Sequence, residues 1–145
     1  MTTPTAPTDD LYQAQIVEHD RHPHHHGPLP GATHTATVDN PLCGDVITVR
    51  LIAAGDRIAE IAFEGRGCAL SRAAASMMTD HVAGTPIADV PALAAQFDRF
   101  VAEPIDAPVP DGLGELAAFR GLRAVRSRRT CASLPFRALV AALRG

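Results

Sequence analysis

The pattern of hydrophobic and polar positions divides the chain into a helical start, a strand-rich segment and a helical C-terminal half. Apolar side chains from Leu11 to Asp20 fall near one stripe, which predicts a short amphipathic helix. Alternating and β-branched residues then predict strands over 33–38, 46–52 and 57–64, with a turn at Gly55-Asp56. Because the connections are short, we expect these strands to form an antiparallel sheet with one solvated face.

After Gly67 the hydrophobic period becomes that of helices. Helices are predicted at 69–83, 90–101 and 132–143, with a shorter helix at 113–122. Three prolines over 104–110 predict a linker between them. The order of helix, strands and then helices predicts an α+β fold in which helices pack on a three-stranded antiparallel sheet.

The length and composition predict one domain. With 145 residues, 46% of them hydrophobic, the chain can bury a core, and we expect the domain to span residues 9–145. Residues 1–8 are rich in Pro and Thr and are expected to form a disordered tail. No apolar run is long enough to span a membrane, and the N-terminus lacks the features of a signal peptide. The sequence therefore predicts a cytoplasmic protein without a membrane partner.

The charge distribution argues against nucleic acid as a partner. The net charge is -3 with neutral histidines, and all 13 basic residues are arginine. The absence of lysine excludes mechanisms that need a lysine Schiff base or a P-loop lysine. The one dense cationic stretch is the arginine-rich segment 120–129, and it contains no interleaved aromatic residues after Arg120. We expect this segment to be a docking face for a protein partner.

The three cysteines carry the chemistry that the sequence favours. An odd number of cysteines argues against a closed disulfide framework. Cys43 lies on a turn between Pro41 and Gly44, which predicts an accessible thiol. Cys68 and Cys131 come just before predicted helices, where unpaired backbone amides stabilise a thiolate. These local settings favour chemistry over the simpler interpretation that each cysteine fills a core position.

Three thiolates and one carboxylate make up a complete tetrahedral set for zinc. Asp45 lies two residues beyond Cys43, and the glycine between them allows both side chains to turn toward one point. The wide separations between the cysteines do not match a zinc finger. The settings of the cysteines, and not their spacing, therefore indicate a metal site.

Each cysteine also lies in a longer motif. The motifs are Asn40-Pro41-Leu42-Cys43-Gly44-Asp45, then Phe63-Glu64-Gly65-Arg66-Gly67-Cys68-Ala69-Leu70-Ser71, and then Cys131-Ala132-Ser133-Leu134. Together with the segment 11–27, they closely resemble the motifs of the IscU/SufU/NifU family of iron–sulfur cluster assembly proteins. The long interval between the second and third cysteines resembles the SufU branch more than the IscU branch. Thr130 departs from both branches, since lysine or histidine usually stands there.

The resemblance implies a function as well as a fold. It implies a metal set of Cys43, Asp45, Cys68 and Cys131, usually with zinc in the SufU branch, and sulfur transfer from a SufS-like cysteine desulfurase. Cys43 is predicted to be the catalytic sulfur acceptor because its turn is the most accessible. Arg128 is predicted to steady anionic sulfur or to pair with acidic groups of the partner. The protein would then be a zinc-dependent sulfurtransferase.

Two other interpretations stay open. A scaffold would assemble a [2Fe–2S] cluster on the same thiolates, with downstream cluster-assembly or carrier proteins as its further partners. A structural zinc module, from a different class of protein, would only bind a partner. The loop 22–26 contains four histidines that could bind a metal, but Pro23 and the following Gly27 favour a solvated loop without fixed geometry. His19 and His81, on predicted helices, are expected to be satisfied locally.

Overall fold

The computed structural model describes residues 14–42 and 44–144. The helices are α1 (Ala14–Arg21), α2 (Ala69–Val82), α3 (Val90–Ala102) and α4 (Arg129–Arg144), and the strands are β1 (His34–Asn40), β2 (Asp45–Ala54) and β3 (Arg57–Arg66). Short 3₁₀ segments cover Ile87–Asp89, Gly114–Ala124 and Arg126–Arg128. The predicted tail at 1–8 and the predicted helix start at Leu11 lie outside the described residues, as does Cys43.

The three strands form one antiparallel sheet in the order β1-β2-β3. Side chains of β2 alternate, so that Ile47, Val49 and Leu51 are buried while Thr48 and Arg50 are half-buried on the other face. This alternation is the period-2 pattern that a sheet with one covered face requires. The α+β prediction, with its three-stranded antiparallel sheet, is confirmed.

Helices cover one face of the sheet and enclose an aromatic core. Helix α4 packs on β1 and β2, and α2 packs on β3. Beyond them, Phe97 of α3 stacks on Phe136 of α4 with ring centroids 4.5 Å apart, and it meets Phe119 edge to face at 5.9 Å. Such offset and perpendicular ring pairs add to the free energy gained from burying apolar surface. No helix within the described ranges has both the length and the apolar character to cross a membrane.

The C-terminal helices differ from their predicted bounds. The segment predicted as a short helix over 113–122 is a 3₁₀ helix, and α4 begins at Arg129 instead of Ala132. Cys131 therefore lies inside the first turn of α4, not before the helix, and Pro135 lies in the helix interior instead of its first turn. A 3₁₀ turn leads directly into α4. Its residues are polar and carry no apolar period, so hydrophobic periodicity does not reveal where the helix starts. Val140 and Leu143, apolar residues within the predicted helix 132–143, are only half-buried.

The predicted arginine face is broken by a buried arginine. Arg123 is 5% exposed, and its guanidinium donates to the carbonyls of Phe100 (2.9 Å), Ala107 (2.6 Å) and Pro108 (3.0 Å). It also lies 4.9 Å from the centre of the Phe100 ring. Desolvation by burial lowers the pKa of Arg123, although a guanidinium stays charged in proteins. Arg123 thus fastens the proline-rich linker to α3 and does not serve as a surface contact.

Candidate metal centre

Asp45 and Cys68 meet where β2 and α2 begin. Asp45 is the first residue of β2 and only 3% exposed, and its Oδ1 accepts the backbone N–H of Cys68 at 3.2 Å. Its Oδ2 lies 3.9 Å from the Cys68 Sγ. Cys68 is the N-cap residue of α2 and makes no cap hydrogen bond of its own through its side chain. The carboxylate from β2 therefore satisfies one of the amides that a helix start leaves open.

Cys131 completes a group of three candidate ligands. It is 3% exposed, and the ligand atoms of Asp45, Cys68 and Cys131 all lie within 4.8 Å of one another. Two thiols and a carboxylate are donors that zinc accepts. Burying a carboxylate beside two thiols also costs free energy unless a positively charged group compensates the charge of the carboxylate. The chemistry and the closeness of these donors fit a divalent metal ion.

Backbone and side-chain hydrogen bonds fix the residues on either side of position 43. The N–H of Gly44 donates to the carbonyl of Asn40 at 2.8 Å, and the Asn40 side chain accepts the N–H of Leu42 at 3.1 Å. The Asn40 amide also donates to the hydroxyl of Thr130 at 3.2 Å, one residue before Cys131. Thr130, the position that departs from the family pattern, thus ties this loop to α4. Cys43 itself lies outside the described residues, and its roles as ligand and acceptor stay predictions.

A glycine allows Asp45 to lie against the backbone before α2. A Cβ atom at Gly67 would lie 2.8 Å from Asp45 Oδ1 and would clash with Ser71 Oγ. The Ser71 hydroxyl is itself held by a 3.0 Å hydrogen bond to the carbonyl of Cys68. Real Cβ atoms do not approach neighbours this closely, so only glycine fits here without displacing the carboxylate.

The candidate ligands open into a cavity that two arginines also line. The cavity measures about 500 Å³ and is lined by Gly44, Asp45, Arg66, Gly67, Cys68, Ser127, Arg128 and Cys131. Arg128 lines this cavity together with Cys68 and Cys131, and its role toward sulfur or a partner stays a prediction. Arg66 is a further cationic residue that sequence reasoning did not single out, although it stands two residues before Cys68. Two guanidinium groups make the cavity attractive to anions.

These features define a class of protein: an α+β domain that gathers aspartate and cysteine donors at the junction of its sheet and two helix starts. The sequence profile of the NifU-like N-terminal domain matches residues 11–132. The chain belongs to this family, and the membership predicted from the cysteine motifs is confirmed.

Relatives of known name span nearly the whole chain. The iron–sulfur cluster assembly scaffold protein IscU of Streptococcus pyogenes serotype M1 is 38% identical over 134 residues, which cover 92% of this chain and 83% of the relative. The zinc-dependent sulfurtransferase SufU of Bacillus subtilis strain 168 is 33% identical over 132 residues, covering 90% and 88%. The crystal structure of a nitrogen-fixing NifU-like protein (N-terminal) from Brucella abortus superposes with a TM-score of 0.86 at 27% identity, covering 96% of each chain. A scaffold and a sulfurtransferase thus both occur among the relatives.

Proposed function

We propose that this chain works in iron–sulfur cluster assembly as a zinc-dependent sulfur acceptor. In this role Cys43 takes persulfide sulfur from a cysteine desulfurase, and Asp45, Cys68 and Cys131 hold the metal. The observation that carries the proposal is the approach of the last three ligand atoms to within 4.8 Å of one another. The similarity to a SufU that is named as a zinc-dependent sulfurtransferase supports it.

The burial of the donors supports a division of labour among them. Asp45 and Cys131 are each 3% exposed, and Cys68 is half-buried, so these groups are better suited to hold an ion than to meet a second protein. Leu42 and Gly44, on either side of Cys43, are exposed. A sulfur acceptor must reach the persulfide of a large partner, and a turn with exposed neighbours favours Cys43 for that task.

The transfer itself needs no outside oxidant. The Cys43 thiolate attacks the outer sulfur of the desulfurase persulfide, a new S–S bond forms, and the old one breaks. The desulfurase cysteine leaves as a thiolate, so Cys43 ends as the persulfide and no net electrons are exchanged. Zinc, when bound, keeps the thiolates of its ligands deprotonated. Arg66 and Arg128, which line the cavity, would attract the anionic persulfide.

Substitution of the acceptor tests the proposal. We expect Cys43→Ser to reduce sulfide release, measured with desulfurase, cysteine and a reductant, to the rate of the desulfurase alone. Mass spectrometry without reductant should then show one added sulfur atom on the wild-type chain and none on the variant. The acceptor role is wrong if Cys43→Ser keeps the wild-type stimulation. Zinc content is measured in parallel, so that loss of metal is not mistaken for loss of the acceptor.

An exposed leucine beside the acceptor offers a contact for the desulfurase. Leu42 is 94% exposed, the highest value among the large apolar side chains of the described residues, and it directly precedes Cys43. We expect Leu42→Ser to weaken desulfurase binding by roughly tenfold, in the range of a moderate interface hot spot, and to leave zinc content unchanged. A titration of the stimulated rate against the concentration of the variant measures this.

The matched control for the Leu42 experiment is Ile105→Ser in the linker. Ile105 is also an exposed apolar residue, at 39%, but it does not line the cavity of the candidate ligands. We expect this control to bind the desulfurase like the wild type. Equal weakening by both substitutions would show that Leu42 makes no specific contact.

A cluster scaffold is the second candidate function. The relative named as a scaffold has the higher identity, 38% against 33%, and the same donors would serve a [2Fe–2S] cluster. Anaerobic reconstitution with iron and sulfide separates the two functions, because a scaffold gives a stable brown protein with two irons. A sulfur acceptor instead keeps tightly bound, colourless zinc. A purely structural zinc module would unfold on metal removal and would transfer no sulfur through Cys43.

A further inference from the structure

We propose that His19, His24 and Asp80 form a second metal site, which takes a divalent first-row transition metal. The site lies at the opposite end of α2 from the candidate metal centre, since the helix between Cys68 and Asp80 spans about 18 Å. It uses none of the cysteines and does not depend on the sulfur-transfer function.

Three different elements bring these side chains together. His19 belongs to α1, His24 to the loop that follows it, and Asp80 to the last turn of α2. Their ligand atoms all lie within 4.8 Å of one another. The Nδ1 of His24 is 2.5 Å from Asp80 Oδ2, and the centres of the two imidazole rings are 4.6 Å apart. His19 is 4% exposed and His24 lies at the surface, so one side of the site is open to solvent.

The histidine-rich loop has a fixed backbone, contrary to its predicted lack of geometry. The N–H of His24 donates to the Ser76 hydroxyl at 2.7 Å. The next residues pair with β3, where Phe63 donates to the carbonyl of His25 and accepts the N–H of Gly27, each at 3.0 Å. Contacts with distant parts of the chain therefore hold His24 in place before any ion arrives, which reduces the entropy lost on binding.

Neighbouring groups orient two of the three proposed ligands, His19 and Asp80. The Nε2 of His19 lies 3.1 Å from a carboxylate oxygen of Glu115, so this nitrogen carries the proton and donates it. The other nitrogen, Nδ1, then points its lone pair toward Ser76, 2.6 Å away and beside His24. A carboxylate on the far nitrogen is the usual support of a metal-binding histidine. His25 donates in the same way to the second oxygen of Asp80 at 3.1 Å.

The donor set selects the class of ion. Two imidazoles and one carboxylate suit zinc, iron(II), cobalt(II), nickel(II) or copper(II), whereas magnesium and calcium prefer sites made of oxygen alone. Because no thiolate takes part, this site and the candidate metal centre are distinguishable by spectroscopy. Without a metal, the same groups form only hydrogen bonds and ion pairs between α1, the loop and α2.

Titration of the full chain with cobalt(II) tests the site. The chain is first loaded with one equivalent of zinc, and cobalt is then added. We expect a further equivalent of cobalt to bind, with weak visible bands and without the near-ultraviolet thiolate-to-cobalt charge transfer. The paired substitution His24→Gln and Asp80→Asn should weaken this second binding at least about a hundredfold. Zinc in excess should raise the unfolding temperature of the wild type and not that of the paired variant.

The control is His22→Gln, which changes an exposed histidine of the same loop outside the proposed ligand set. We expect His22→Gln to bind the additional equivalent of cobalt as the wild type does. The proposal is overturned if no second equivalent binds, or if the paired variant still binds it. It is also overturned if His22→Gln weakens binding as much, because the loop would then bind metal through its histidine content alone. Unfolding temperatures without metal confirm that both variants fold.

Discussion

Gly67→Ala is expected to lower the affinity for zinc about a hundredfold, in the range seen when the supporting contacts of metal ligands are lost. The added Cβ would lie 2.8 Å from Asp45 Oδ1 and 2.9 Å from its Cγ. Asp45 cannot retreat easily, because it is buried at the start of β2 and paired there with Asn40. The displaced carboxylate would lose both its hydrogen bond to Cys68 and its position beside the two thiols.

A chelator competition with purified protein measures this loss. The control is Ser71→Ala, which removes the other atom that the new Cβ would meet and leaves Asp45 untouched. We expect Ser71→Ala to bind zinc like the wild type and, in the double variant, not to rescue Gly67→Ala. If Gly67→Ala retains zinc with wild-type affinity, then the approach of Asp45 to the backbone is not needed for metal binding.

The second large effect concerns stability. We expect Arg123→Met to lower the free energy of unfolding by roughly 3 kcal/mol, because charged hydrogen bonds in a buried setting disappear together. The carbonyls of Ala107 and Pro108 would lose the donor that fastens the linker, and Phe100 would lose its cation. Methionine fills much of the same space, so the loss reports mainly on the polar contacts.

Urea denaturation compares Arg123→Met with Arg126→Met, an exposed arginine nearby whose loss should cost about 0.5 kcal/mol or less. Arg123→Lys should recover only part of the stability, since an ammonium lacks the planar fork that reaches separate carbonyls. Equal urea midpoints for the Arg123 and Arg126 methionine variants would show that the buried guanidinium is not a significant stabilising contact.

Local patterns were sufficient to predict the sheet and the first long helix. Strands β2 and β3 alternate strongly and are joined at Gly55, which has a positive φ of 62°, so their pairing depends on neighbours in sequence. The end of α2 follows from Gly84, whose φ is 81°. Each of these features depends on a single short segment, which is why a sequence alone reveals it.

Features that depend on distant contacts were missed. The burial of Arg123 requires carbonyls from α3 and the linker, and charge alone predicts an exposed side chain. The start of α4 falls among arginines and threonine, which carry no apolar period. The order of the histidine-rich loop comes from Phe63 and Ser76, which are far away in sequence.

The candidate metal centre was predictable in its members but not in its surroundings. Motifs around the cysteines pointed to Asp45, Cys68 and Cys131, which the structure brings together. The hydrogen bond from Asn40 to Thr130, by contrast, joins two elements with no shared local signal. Arg66 could have been noticed from its place between two glycines before Cys68, but its position on the cavity required the fold.

Helix α2 carries Cys68 at its first end and Asp80 in its last turn. The aligned peptide units of a helix give it a macrodipole, with partial positive charge at the N-terminus and partial negative charge at the C-terminus. An anionic thiolate at Cys68 therefore lies at the N-terminus, where the macrodipole favours it. The Asp80 carboxylate, when it holds no cation, lies near the C-terminus, where the macrodipole disfavours it. A cation held by Asp80 would reverse the sign of that interaction, so the same macrodipole would favour an anionic ligand at one end of α2 and a bound cation at the other.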